Sequence, residues 1–369
     1  MFMHSTDAMT HRLVKSVIRS ARLAAFFACL PLNVGCVHTI PFTDADGRLI
    51  PHSTATMERI TLGGLPQSIW FRGVSDSNPA LILLHGGPGA SEAPLFRHFN
   101  AALEQHYVVV YWEQRGAGRS FSYDIPQESM TIERFVRDLD ELVDLTRRRF
   151  GHKKVVLLGH SWGTVIGTFY AARYPEKVAL YVGVAQIAHM PLGRRLAYDF
   201  TFSEALKRGN SEARKALQHI GPPPYASVDE LLAVEEWTQQ FGGVNHARIS
   251  TGTLIWAALG TDEANLIDLI KFGQGNRFSL SHLEGELSRL DLTERYRSFA
   301  VPIVFLLGRY DRHIPSELAE QYFNMIEAPC KLLLWFDQSG HNPPFEEPER
   351  FNAIMIKDVL PLATDGCAQ

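Results

Sequence analysis

Residues 155 to 167 read VVLLGHSWGTVIG, and no other stretch of the chain so narrows what it can fold into. Four apolar residues of strand character run into Ser161, which has Gly159 two positions before it and Gly163 two positions after. The segment TVIGTFYAARYP that follows reads as a helix ending at Pro175. A chain that turns from strand to helix around one serine strains the backbone of that serine, and bulk at either flanking position would crowd the turn. The G-x-S-x-G spacing therefore predicts a nucleophile elbow, with the Ser161 hydroxyl held above a strand end.

A serine nucleophile needs donors for the developing oxyanion, a base and an acid to orient the base. The apolar run ALILL ends in His85-Gly86-Gly87-Pro88-Gly89, where bare backbone can approach a substrate oxygen. The backbone N–H groups of Gly87 and Trp162 are the expected oxyanion donors. Pro88 has no N–H to give, and His85 is expected to brace the loop. A phosphate cradle is disfavoured, because neither GxxxxGK[ST] nor GxGxxG is present. The base is expected from QSGHNPPFEEPERF, where His341 follows the last apolar run, and the acid from PIVFLLGRYDRHIP, where Asp311 follows the run before it. Asp337 competes, but it lies only four residues before His341 on the same loop. The order Ser161, Asp311, His341 is one the elbow motif keeps.

Short apolar runs recur at 80–84, 107–112, 154–158, 179–185, 302–307 and 331–336 with helical stretches between them. Runs this apolar suit strands covered on both faces by helices, so the fold class is α/β with a mostly parallel sheet. MERITLGGLPQSIWFRG from Met57 adds a hairpin turning at Gly63-Gly64 at the sheet edge. TIERFVRDLDELVDLTRRRF reads as a covering helix, with Ile132, Phe135, Val136, Leu139, Leu142 and Val143 on one face. From 187 to 297 the alternation stops and the chain is helix-like, broken by GPPPY and FGG. That makes 187–297 an insertion between two parts of one core, 37–186 and 298–369.

Residues 1–36 form a separate unit. Arg12, Lys15, Arg19 and Arg22 precede an apolar segment from Leu23 to about Leu32, closing at Gly35-Cys36. That is the order of a secretory signal, and Gly35-Cys36 resembles the end of a lipoprotein signal. The expectation is an exported chain, periplasmic or membrane-attached through this segment, with a cytoplasmic location as the alternative. Cys330 and Cys367 are left to the body, where a disulfide between them is possible. No Cys or His pair has metal-ligand spacing. With a formal charge of −4 and no long basic block, nucleic acid is not an expected partner.

On HGGPG, WEQRGAGRS, GHSWGT and SGHNP, in that order, the chain resembles the α/β-hydrolases, and most of all the prolyl aminopeptidase (proline iminopeptidase) group. The likeness runs over roughly residues 55 to 360 and implies an α/β-hydrolase core, a helical cap at the insertion, no cofactor, and an amide or ester substrate, small or a short peptide. The chain departs from the family at Glu113, where the family writes aspartate, and in the cap. There, family peptidases carry a Trp-x-x-Trp-Glu element that holds the substrate's free amino group. This chain offers VEEWTQQF instead, making Glu235, Glu236 and Trp237 the candidate substrate-binding residues. A prolyl-aminopeptidase-like peptidase is the expected function; a carboxylesterase or amidase on small apolar acyl compounds is the alternative. A non-catalytic binding protein would need a broken triad. Oligomeric state is not legible.

Overall fold

The computed structural model describes residues 38–246 and 249–367; the export segment expected at 1–36 lies outside them. Eight strands form one sheet in the order β1-β2-β4-β3-β5-β6-β7-β8. β1 (Thr54–Leu62) and β2 (Leu65–Gly73) make the edge hairpin, and β2 pairs antiparallel with β4 (Val108–Glu113). The rest is parallel: β3 (Ala80–Leu84), β5 (Val155–His160), β6 (Val178–Val184), β7 (Ile303–Gly308) and β8 (Lys331–Phe336). Every residue of β3, β4, β5 and β7 is buried, as continuous apolar runs require. KLLLWF departs from that expectation: β8 is the sheet edge, with Lys331 exposed and only Phe336 buried.

The covering helices are α1 (Ala93–Phe99), α2 (Ile132–Phe150) and α3 (Trp162–Arg173). In α2 the Thr131 hydroxyl caps the Arg134 N–H, Gly151 closes the C-terminus at φ 71°, and the six expected apolar residues are buried. The charge pattern also leaves one buried acid, Asp138, which is held by Arg115, Arg134 and Gln67.

After β6 the chain leaves the sheet for a run of helices: α4 (Met190–Lys207), α5 (Ser211–Ile220), α6 (Val228–Gln240), α7 (Thr251–Leu259), α8 (Leu266–Leu287) and α9 (Leu292–Arg295). A bridge between His189 and Asp291 ties the two ends of this cap. Tyr198, Ala205, Ala213, Leu217, Val234 and Phe241 give it a small core of its own. The chain returns through β7, α10 (Ser316–Met325) and β8, then closes with α11 (Pro343–Glu346), α12 (Pro348–Ile354) and α13 (Leu360–Thr364). Cys367, beyond α13, is bonded to Cys330, with Cα atoms 5.9 Å apart and a sequence separation of 37. Closing a loop of that length is worth about 4 kcal/mol in the chain-entropy account.

The loops after β3, β5, β7 and β8 leave the carboxyl ends of parallel strands, the edge where open α/β sheets place ligands. HGGPG, Ser161, Asp311 and His341 lie on those loops, one on each.

Candidate active site

Ser161 sits at φ 50° and ψ −119°, a region that side chains other than glycine rarely occupy. Its neighbours explain how the strain is tolerated. A Cβ at Gly163 would lie 1.9 Å from Leu84 O, and one at Gly159 would lie 2.8 Å from Gly163 O. Neither position accepts any other residue without moving backbone. The turn is fastened by Ser161 N–H donating to Val184 O at 3.0 Å and Thr164 N–H donating to Ser161 O at 2.9 Å. Trp162 is the first residue of α3, so its N–H has no carbonyl four residues back to pair with.

The HGGPG loop is braced from three sides. His85 Nδ1 lies 2.7 Å from Gly86 O, and Gln114 N–H donates to His85 Nε2 at 3.1 Å. Those partners assign the proton to Nδ1. Burial holds the His85 imidazolium below its ordinary range, in keeping with a neutral ring. The Gln114 side chain accepts from Trp162 Nε1 at 2.9 Å and donates to His85 O at 3.2 Å, linking the loop to the elbow. The Gly86 N–H donates to Glu92 at 2.7 Å. From the cap, Asn276 on α8 donates to Pro88 O at 2.9 Å. Gly87 takes φ 113°, a conformation that favours glycine.

His341 Nδ1 lies 2.7 Å from Asp311 Oδ2, and Asp311 Oδ1 accepts the N–H groups of His313 and Ile314 at 2.9 and 2.8 Å. Asp337, the competing acid, is exposed and paired with Arg309 at 3.0 Å. The His341 loop is shaped by Glu346, whose Oε1 accepts the N–H groups of Gly340 and Asn342, each at 3.0 Å. His341 is joined to the elbow through His160, whose Nε2 lies 3.0 Å from His341 O and whose Nδ1 lies 2.8 Å from Glu92. Both nitrogens of His160 face acceptors, so both carry protons and the ring is an imidazolium. Burial pulls its pKa down, but Glu92 outweighs burial and holds it above the ordinary value. Its ring centre lies 5.1 Å from that of His341. Burial, then this neighbouring cation, drive the His341 pKa down to about 3, leaving a neutral imidazole at neutral pH. Burial pushes Asp311 the other way, up to about 7, against the pull of His313 and two backbone N–H groups.

Residues 79–348 match the model of the alpha/beta hydrolase fold family. The chain is 33% identical over 308 residues to a Bacillus subtilis protein described as the probable aminopeptidase YbaC, spanning 81% of this chain and 94% of that one. The chain belongs to the α/β-hydrolase family. Within it, this hydrolase is related to the prolyl aminopeptidases. It is 26% identical over 291 residues to the proline iminopeptidase of Heyndrickxia coagulans, across 76% of this chain and 90% of that one. Its fold matches that of the proline iminopeptidase-related protein of Thermus thermophilus with a TM-score of 0.60 at 22% identity, over 84% of this chain and 98% of the other.

In this hydrolase, Gly87, Ser161, Trp162 and His313 line one cavity, roofed by Arg194 of α4, Glu235 of α6 and Leu280 of α8. It holds about 50 Å³, below the roughly 300 Å³ at which ligand sites begin. Of the three cap candidates, only Glu235 reaches it. Glu236 is exposed and accepts from Gln240 at 3.4 Å, and Trp237 stacks on Phe241 with ring centres 5.9 Å apart, in the cap's own core. Successive helical residues point about 100° apart, so one of the three faces Ser161 while its neighbours turn away. Trp237 does not wall the pocket.

Sequence reasoning missed Glu92 as the counter-ion of His160, His313 as a wall of the cavity, and Glu346 as the clamp on the His341 loop. Glu113, singled out as a departure from the family, is buried beneath the Arg119 N–H at 3.1 Å. A Cβ at Gly118 would lie 2.2 Å from its carboxylate. Burial raises the Glu113 pKa. Among the described residues, no group of acidic, His or Cys side chains could hold a metal ion.

Proposed function

We propose that this α/β-hydrolase is a serine aminopeptidase that releases the N-terminal residue of a short peptide through an acyl-enzyme on Ser161. Ser161 Oγ attacks the scissile carbonyl carbon while its proton passes to His341 Nε2. Asp311 keeps the imidazole in the tautomer with Nδ1–H and steadies the imidazolium that forms. The Gly87 and Trp162 N–H groups receive the oxyanion. As the C–N bond breaks, His341 returns the proton to the leaving amine. Water then attacks the ester, losing its proton to His341 and leaving Ser161 free and the released residue with a carboxylate. The reaction needs no cofactor.

The observation that carries the peptidase reading is Glu235, a carboxylate in the same cavity as Ser161. Arg194 is its cationic neighbour there, but Arg194 is bound bidentate by Glu284, with one contact at 2.7 Å. Burial holds the His313 pKa below its ordinary value. With Glu284 neutralising Arg194, Glu235 is left as a carboxylate in the cavity without a cation of its own, which suits a substrate ammonium and would offer nothing to an uncharged acyl group.

The test compares a prolyl arylamide with a short-chain aryl ester on one purified sample. Glu235→Gln raises KM for the arylamide at least about tenfold, the loss of one charge-assisted contact, and leaves ester turnover within about twofold. Equal effects on both substrates, or a wild type that turns over the ester alone, would favour the esterase reading.

The activity depends on pH through the Asp311–His341 pair. A proton on Asp311 removes the charge that supports the imidazolium, so kcat/KM rises with pH along a limb with a midpoint near 7, the value to which burial pushes Asp311. The imidazole itself stays neutral until far lower pH. A pH series of kcat/KM on the arylamide checks this; a profile flat down to pH ~5 contradicts it.

Residues 1–36 carry the export reading, and the Cys330–Cys367 disulfide supports it, because such bonds persist outside the reducing cytosol. Mass spectrometry of protein from its native host is expected to find a mature chain beginning near Cys36. Intact Met1 on cytoplasmic material would overturn export.

A further inference from the structure

We propose that the outer face of α7 and the first turns of α8 rests on a lipid bilayer. Among the described residues, five of the thirteen large apolar side chains that are exposed fall within residues 255–272: Ile255, Trp256, Ile267, Ile270 and Phe272, each 38% to 61% exposed. The α7 sequence TGTLIWAAL has no charged residue, and only Ala257 within it is buried. A helix of a water-soluble surface carries charge on its outer side; α7 does not. Beneath it lies an apolar cavity of about 360 Å³ with Ile255 and Phe272 in its lining, so the apolar surface continues inward from the exposed face.

The chain itself says what covers this face. His38 N–H donates to Asp262 O at 3.4 Å, and Thr39 donates to Glu263 at 2.8 Å, so the N-terminal segment joins the body at the turn between α7 and α8. Cys36 precedes His38 by two residues, a span of at most about 7 Å. The segment that ends there carries four basic residues and then an apolar stretch, the order of a membrane-directed leader. Gly35-Cys36 resembles the end of a lipoprotein signal, and a lipid on Cys36, kept after the leader is cut away, would hold the α7–α8 face beside the membrane. Five side chains about half exposed fall short of the roughly 800 Å² per partner that a stable dimer buries. They suffice for an interfacial contact whose anchor already keeps it close. Among the described residues, no helix is long and apolar enough to cross a membrane, so the contact is a surface one.

The test uses the full chain with vesicles of phosphatidylethanolamine and phosphatidylglycerol whose acyl chains are brominated. Tryptophan emission is expected to be quenched, and Trp256→Phe to abolish the quenching. The double variant Ile255→Asp, Ile270→Asp is expected to partition into vesicles at least roughly tenfold less, with its melting temperature and its hydrolysis of a soluble ester unchanged. Quenching that persists in Trp256→Phe overturns the proposal, whatever the fate of the double variant. Unchanged vesicle partition in a folded double variant also overturns it, because the N-terminal segment would then act alone. So does a chain whose dimer dissociates in the double variant without loss of vesicle binding, since a second copy would be what covers the face.

Discussion

Ser161→Ala is expected to lower kcat on the best substrate by at least about 10⁴-fold with KM little changed and the melting temperature at or near that of the wild type. The hydroxyl is the bond-forming atom in the proposed reaction, so its removal takes the covalent route away while Gly87 and Trp162 still polarise the carbonyl. The residual rate is what those donors and simple positioning supply. Stability is spared because the fold is fastened here by backbone: Ser161 N–H to Val184 O, and Ser161 O to Thr164 N–H. Alanine keeps the same strained φ of 50° and loses only a hydroxyl at the cavity wall. Steady-state kinetics paired with thermal melting checks this. A folded variant that keeps more than about a hundredth of the wild-type rate rejects Ser161 as nucleophile.

Asp311→Asn is the second large loss, about 10⁴-fold in kcat, and it works through a proton. The amide oxygen can go on accepting from His313 and Ile314 N–H, so the loop after β7 stays in place. The amide nitrogen then faces His341 Nδ1 and donates to it, which moves the imidazole proton to Nε2, where it can no longer take one from Ser161. The limb of kcat/KM near pH 7 disappears in the same variant, because the carboxyl that titrates there is gone. Asp337→Asn serves as the control: that side chain is exposed and paired with Arg309, and its loss is expected to change kcat less than about twofold. The reverse pattern would make Asp337 the orienting acid.

What the sequence revealed and what it hid follow one physical division. The elbow was legible because its constraint is local: Gly159 and Gly163 answer to steric limits set within five residues, and the strand before them is apolar along its whole length. The parallel strands were legible for the same reason, save β8, whose apolar run belongs to an edge that two-sided burial does not explain. Asp311 and His341 were named through strand order, which the parallel sheet converts into side chains 2.7 Å apart. Glu92 and His160 were not, because their pairing depends on α1 and the elbow meeting at 2.8 Å, a distance that no spacing in the chain encodes. Glu235, Glu236 and Trp237 could be named as a group but not told apart, since the phase of an isolated helix is fixed only by what it packs against. Trp237 found the cap's core, and Glu235 was left to the cavity. Cys330 and Cys367 had no pattern to announce them until the C-terminal segment folded back along the sheet edge.

The central claim, a covalent acyl-enzyme on Ser161, is tested most directly by labelling the active protein with a fluorophosphonate and locating the adduct by tandem mass spectrometry. A single phosphonylated residue is predicted, in the peptide carrying GHSWG, on Ser161, with label and loss of activity rising together in equal measure and no adduct formed in Ser161→Ala. An adduct on another residue, or full inactivation without any adduct on Ser161, would contradict it.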